Sequence, residues 1–171
     1  MRPHDAIWEL LETVTDPEIP VVNLREMGIL RDVRDGPNGL QVVITPTYSG
    51  CPAMQQMHDD VAAALSRAGI AAEIVTQLGP AWSTDWMAPE AHEKLRAYGI
   101  AAPAHRVSGL DESAQVISFA AQRGPRTVDA IACPQCGSAN TTPISHFGST
   151  ACKALYRCLQ CMEPFDYFKP H

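Results

Sequence analysis

No uninterrupted apolar run in this chain approaches the roughly 20 residues a membrane-spanning helix requires. The opening Met1-Arg2-Pro3-His4-Asp5 lacks the apolar core of a signal peptide. No membrane association is expected, and the setting should be cytoplasmic and reducing. Glycine loops that cradle phosphate are missing, as is the Gly-x-Ser-x-Gly elbow of hydrolases. None of the six histidines has a glutamate three residues before it, which removes the helical Glu-x-x-His pairs of a di-iron oxygenase. Stand-alone catalysis is disfavoured. Basic charge is also scarce: residues 1–105 hold 7 Lys and Arg against 14 Asp and Glu. Nucleic acid is a poor partner for such a surface.

What remains is a chain of 171 residues, 46% hydrophobic, enough to bury one real core and carry a small appendage. The fold class expected is α/β: a small mixed three-stranded sheet with covering helices, followed by an all-β zinc ribbon. The divisions fall at 1–100 for the α/β domain, 101–130 for a linker and 131–171 for the ribbon. Pro103, Gly109 and Gly124-Pro125 punctuate the small and polar residues of that linker.

In chain order, Asp5 caps a short helix whose stripe is Ile7, Leu10, Leu11 and Val14, and Pro17 ends it by disfavouring a helical Asp16. Asp16-Pro17-Glu18-Ile19-Pro20 reads first as a rigid acidic turn. Asn23 to Gly28 should form a single helical turn. Strands over Ile29 to Arg34 and Leu40 to Thr45 flank Gly36-Pro37-Asn38-Gly39 and make an antiparallel hairpin. A helix from Pro52 to Ala68, with Met54, Met57, Val61 and Leu65 on one face, leads to a third strand over 72–78. A helical crossover places that strand parallel to the second. Trp82 and Trp86 lie in a loop, where they cover a core edge or meet a partner. Pro89 opens a last helix through Tyr98.

Cys51 sits where the second strand gives way to that helix. It has no cysteine near it, since the other five lie beyond residue 130. Its plain reading is a small hydrophobe plugging a corner. Its chemical reading is a thiol at a helix N-terminus, whose dipole and unpaired N–H groups lower the pKa and favour thiolate.

Cys133-Pro134-Gln135-Cys136 and Cys158-Leu159-Gln160-Cys161 are two Cys-x-x-Cys knuckles with 21 residues between them, close to zinc-ribbon spacing. Four thiolates fill a tetrahedral shell and leave no open position, so a structural Zn2+ is expected, with iron or a cluster as the other metals such a set accepts. Strands should cover Thr141 to Ser145, Lys153 to Tyr156 and Pro164 to Lys169. Phe147, Tyr156, Phe165, Tyr167 and Phe168 serve protein contact or the ribbon's own core. Cys152 belongs to neither knuckle, and stands as a buried residue or a second thiol.

Four segments carry a family resemblance: Asp16-Pro17-Glu18, Glu26-Met27-Gly28-Ile29, Thr45-Pro46-Thr47 with Gly50-Cys51-Pro52, and Gly79-Pro80-Ala81-Trp82. Together they resemble the MIP18-type (DUF59) iron-sulfur assembly domain over residues 5 to 100. With the appended ribbon, including Phe147-Gly148-Ser149-Thr150-Ala151-Cys152-Lys153 and Glu163-Pro164-Phe165-Asp166-Tyr167-Phe168-Lys169, the chain is similar to the D-protein family of phenylacetyl-CoA epoxidase systems in phenylacetate catabolism.

The resemblance implies a non-catalytic accessory factor that assists insertion of an iron-sulfur cluster, or iron, into the oxygenase or ferredoxin-type reductase component. It brings Asp16, Thr47 and Cys51 to one site. A single thiolate cannot satisfy a cluster that takes four ligands, so holding would be transient and shared, either across a homodimer or with donor and recipient in turn, while the ribbon docks the client. The alternative is a structural subunit bridging components of the epoxidase complex.

Overall fold

A computed structural model describes residues 4–103 and 131–170. Helix α1 (Asp5–Leu11) begins after its N-cap His4, which is left-handed at φ 77° and makes no side-chain cap bond; Asp5 lies in the first turn. Leu11 and Val14 drop from it into the core. The chain then closes a loop on itself, with the Asp16 N–H donating to the Val22 carbonyl at 2.9 Å and Thr15 bridging Asn23. At Asn23 to Gly28 an asparagine and a glutamate cap each other: the Glu26 N–H donates to Asn23 Oδ1 at 2.7 Å and the Asn23 N–H to Glu26 Oε2 at 3.1 Å. Gly28 ends that turn at φ 69°, and a Cβ there would come within 2.6 Å of the Trp86 carbonyl oxygen, so only glycine fits.

Strands β1 (Leu30–Gly36) and β2 (Gly39–Ile44) form the expected antiparallel hairpin, and β3 (Glu73–Thr76) pairs parallel to β2, giving the order β1-β2-β3. The crossover is helix α2 (Met54–Arg67), which buries Met57, Val61, Ala64 and Leu65 and stops at Gly69, φ 70°, with the Ile70 N–H returning to the Leu65 carbonyl. It starts at Met54, two residues later than the sequence suggests. Helix α3 (Pro89–Ala97) follows a single 3₁₀ turn at Thr84–Trp86. Trp82 is buried and donates its indole N–H to the Met27 carbonyl at 3.0 Å, so this loop tryptophan is core. Trp86 carries the Arg31 guanidinium 3.6 Å above its ring.

The second sheet has the order β4-β7-β6-β5, from β4 (Ile100–Ala101), β5 (Thr141–Ser145), β6 (Lys153–Cys158) and β7 (Pro164–Phe168). The three ribbon strands fall where expected. The fourth was not foreseen: Ile100 and Ala101 pair parallel with Asp166 and Tyr167, so the boundary set at residue 100 falls inside a strand of the ribbon's own sheet. Of the expected linker 101–130, residues 104–130 lie outside the described residues.

The two modules also share a core. Phe168 of β7 is 1% exposed and meets Trp82 edge to face, ring centroids 6.0 Å apart. It belongs to the same buried cluster as Leu11, Ile29 and Leu95, so the last strand contributes to the core of the first domain. The ribbon's own small core is Cys133, Cys158 and Phe165 with Tyr156 and Tyr167 against it, so four of the five aromatic residues expected at a contact surface pack internally, and Phe147 alone of them stays exposed. Among the described residues no helix is long and apolar enough to cross a membrane.

Candidate thiol site and metal centre

After β2 the chain runs buried through Thr45, Pro46 and Thr47, anchored by the Thr45 N–H on the Ile29 carbonyl at 2.8 Å, then turns outward. The turn closes through the Cys51 N–H on the Tyr48 carbonyl, 3.2 Å, and the Met54 N–H on the Cys51 carbonyl, 3.3 Å. Cys51 is thereby left half-buried at the lip of the first core, three residues ahead of α2. The Ala53 N–H stabilises the thiolate form of Cys51, and the Tyr48 pKa is raised by burial first and then by the charge of Cys51.

Asp16, on the loop after α1, adds its charge to the surroundings of this thiol. Its carboxylate is 6% exposed, and Oδ1 accepts the N–H groups of Glu18 at 2.7 Å and Ile19 at 3.0 Å, a cap that holds the Asp16-Pro17-Glu18 turn. Burial raises the Asp16 pKa, against the pull of those two N–H donors and of the Lys153 ammonium. Glu18 is raised as well, by desolvation first and by the Asp16 charge second. Sequence reasoning named Asp16 and missed Glu18 and Tyr48. Their only signal was position, two residues after Asp16 and three before Cys51.

Cys51 is not the activated thiolate that helix-terminus reasoning anticipates. Desolvation raises its pKa, the Ala53 N–H only partly offsets this, and the nearby charges of Glu18, Cys152 and Asp16 raise it further. Burial outweighs the helix terminus here, because α2 begins past Ala53, and the charges of Glu18, Cys152 and Asp16 add to the rise. Thr47 is buried, 8% exposed, four residues before Cys51.

The ribbon contributes to this corner too. Cys152 is 6% exposed and belongs to the main core with the first domain's residues, not to the ribbon's own cluster. Thr150 Oγ1 lies 3.0 Å from its sulfur, and its carbonyl accepts the Lys169 N–H at 2.9 Å. Lys153, next in sequence, buries its ammonium 3.6 Å from Asp166 and lowers the pKa of both Asp16 and Glu18. A Cβ at Gly148 would come 2.8 Å from Asp166 Oδ1, so that carboxylate would have to shift to admit a side chain. Two shallow depressions elsewhere, beside Thr13 and Asp60 and beside Glu12 and Glu26, hold no cysteine.

At the ribbon's far end Cys133, Cys136, Cys158 and Cys161 place their sulfurs all within 4.8 Å of one another. The Cys133–Cys161 and Cys136–Cys158 separations are 3.8 and 3.6 Å. A tetrahedron with Zn–S near 2.3 Å has edges of about 3.8 Å, so four sulfurs in this arrangement fit zinc. N–H groups of Cys161 and Gln160, at 3.5 and 3.3 Å, point at the Cys158 sulfur and bring its pKa down to about 6, against desolvation. Cys161 receives an N–H from Glu163, yet desolvation and the crowding sulfurs push it up to about 12. Four thiolates cannot coexist there without a cation, and a bound metal resolves that repulsion by displacing the protons.

Comparison with known proteins divides along the same lines. Residues 4–75 match the family described as iron-sulfur cluster assembly protein, and residues 120–169 match the PaaD zinc beta ribbon domain. The chain is 46% identical over 164 residues, 95% of its length and 90% of the relative's, to an Escherichia coli (strain K12) protein provisionally named as the D component of 1,2-phenylacetyl-CoA epoxidase. It is 34% identical over 98 residues, 56% of its length and 92% of the relative's, to the Fe-S protein maturation auxiliary factor of Porphyromonas gingivalis. The crystal structure of a DUF59 domain from Bacillus anthracis is similar with a TM-score of 0.49 and 29% identity, over 54% of this chain and 90% of that one. With both modules matched in order and nearly the whole length aligned, the chain belongs to the PaaD family, an iron-sulfur-assembly-type domain carrying a C-terminal zinc ribbon.

Proposed function

We propose that this protein is a non-catalytic accessory factor of a phenylacetyl-CoA epoxidase system, and that Cys51 is the point at which iron, or an iron-sulfur cluster, is held on its way to the oxygenase or reductase component. The observation that supports the reading is one half-buried thiol, ahead of α2 and under the charges of Glu18 and Asp16, in a domain that matches iron-sulfur assembly proteins. The relatives' names, a maturation auxiliary factor and an epoxidase component, support the same class.

A raised thiol pKa suits transient holding. At neutral pH Cys51 is largely protonated, so metal must displace a proton to bind, and reprotonation favours release. The ribbon quartet has the opposite design, with four sulfur donors and no open position, and holds its zinc as structure.

Cys51→Ser tests the reading. Expressed with the remaining epoxidase components, this variant should keep its zinc and its fold while iron and sulfide in the reductase, or iron in the oxygenase, fall severalfold. Full occupancy of both components with the variant present would overturn it.

A further inference from the structure

We infer that Phe147 and Ile144, with the Lys169 ammonium beside them, form the docking surface of the ribbon, and that this surface takes an apolar pocket rimmed by carboxylates on another protein. The partner's identity rests on the accessory-factor reading above: it is the oxygenase or reductase component that this chain serves.

Two apolar side chains are held out into solvent by identifiable devices. The register of β5 on β6 steps from Pro143 opposite Tyr156 to Ser145 opposite Leu155, so Ile144 is the extra residue of a bulge and is left 53% exposed. Just beyond, the Phe147 N–H donates to Ser145 Oγ at 3.3 Å and closes a turn that leaves Phe147 61% exposed. Its ring is fixed from two sides. The His146 imidazole meets it edge to face, centroids 5.3 Å apart, and Lys169 Nζ lies 4.6 Å from its centre. Lys169 is itself tied down, since Nζ donates to the His146 carbonyl at 3.2 Å. A large ring that is ordered before binding loses little freedom on binding, which suits it as an interface anchor.

Charge decides the kind of partner. Residues 130–162 hold no Asp or Glu, whereas the rest of the chain holds all 19. Asp166, the carboxylate beside Gly148, is already engaged by Lys153 at 3.6 Å and by Ser149 at 3.2 Å. Among the described residues no carboxylate lies within ion-pairing reach of Lys169. The zinc thiolates bring negative charge, but Cys158 pairs with Thr141 at the opposite end of β5 from Phe147. An exposed ring flanked by an ammonium without a counter-ion fits an apolar pocket with acidic residues at its rim. Nucleic acid is disfavoured by the chain's net charge of −6. Although β5 is the edge of its sheet, strand addition is disfavoured too, because Pro143 has no N–H to give and the bulge breaks the ladder. Side chains must make the contact.

The test measures binding of the full-length, zinc-loaded protein to the purified oxygenase and reductase components by biolayer interferometry at low and high salt. Wild type should bind one of them. Phe147→Ala should weaken that binding by about tenfold or more, and Lys169→Gln should flatten its salt dependence, with zinc content and circular dichroism unchanged in both. Wild-type affinity in the Phe147→Ala, Ile144→Ser double variant, or no binding of wild type to either component, would overturn the docking surface. Sedimentation covers a second copy of this chain: a wild-type dimer that Phe147→Ala converts to monomer would make the patch a self-contact and overturn the partner. Hydroxyl-radical footprinting of wild type needs no variant. The peptide carrying Phe147 should be oxidised in the free chain and protected in the complex, and protection already in the free monomer would mean that this chain covers its own ring and would overturn the surface. Full metal occupancy of both components with Cys51→Ser, beside binding that depends on Phe147, would sink the iron-delivery reading and leave the docking surface standing.

Discussion

Asp16 illustrates how one side chain serves structure and chemistry at once. Its Oδ1 caps the turn through two N–H groups while burial penalises its charge. Asp16→Ala removes the acceptor and strands two donors, at a cost of about 1–3 kcal/mol. Asp16→Asn keeps an acceptor oxygen and removes the buried charge. Because the folded pKa lies above the unfolded one, the wild-type carboxyl contributes fully below the ordinary carboxylate pKa and loses that contribution as pH rises through the folded value. Urea titrations should therefore place Asp16→Asn at or above wild type at pH 7, with the advantage shrinking toward pH 4. An advantage that grows on acidification would contradict the raised pKa.

Cys51 gives a second reading at this scale. Its alkylation by iodoacetamide, followed by peptide mass, should stay slow at pH 7 and rise with a midpoint above the ordinary thiol value of about 8.5. A midpoint below 8 would restore the helix-dipole picture. That picture came from reading local sequence, where Pro52 and a following apolar stripe look like a helix start. What reverses it is burial first, with the charges of Glu18, Cys152 and Asp16 adding to it, and no local pattern in the sequence reports either.

At the scale of elements, most of the fold was legible. Alternation in Leu40, Val42 and Ile44 marked β2, the three- and four-residue spacing of Met57, Val61 and Leu65 marked α2, and the crossover between strands fixed β3 as parallel. Cysteine spacing announced the ribbon, because four thiolates on one ion impose that geometry. Ile100–Ala101 stayed invisible: two residues carry no periodicity, and their strand exists only because β7 offers an edge.

The ribbon's dependence on metal is itself testable. Structural zinc supplies about 10–16 kcal/mol in peptides of this kind, far more than a core of Cys133, Cys158 and Phe165 provides. Stripping zinc with a chelator, or Cys133→Ser, should make the segment after residue 130 protease-sensitive and shift tryptophan emission to the red as Phe168 leaves Trp82. Unchanged protease resistance would refute the zinc staple.

The last strand of the ribbon places Phe168 in the core of the first domain, which predicts that the two modules unfold together. Phe168→Ala should cost about 3–5 kcal/mol in urea unfolding, as a large buried ring is removed from a core it shares with Leu11 and Leu95. The variant should still retain its zinc, whose four ligands lie at the other end of the sheet. A loss below 1 kcal/mol would mean that the modules are merely tethered. Little in the sequence hints at this union: Phe168 reads as one of several ribbon aromatics, and its partners are scattered across the first hundred residues.

The loop from Gly148 to Lys153 hangs from strands that zinc holds together, and it carries both a sulfur and a cation into a corner otherwise made by the first domain. Losing the metal at the far end of that sheet would therefore be felt in the first domain, whose core is finished by Cys152 and Phe168 from the same strands and loop.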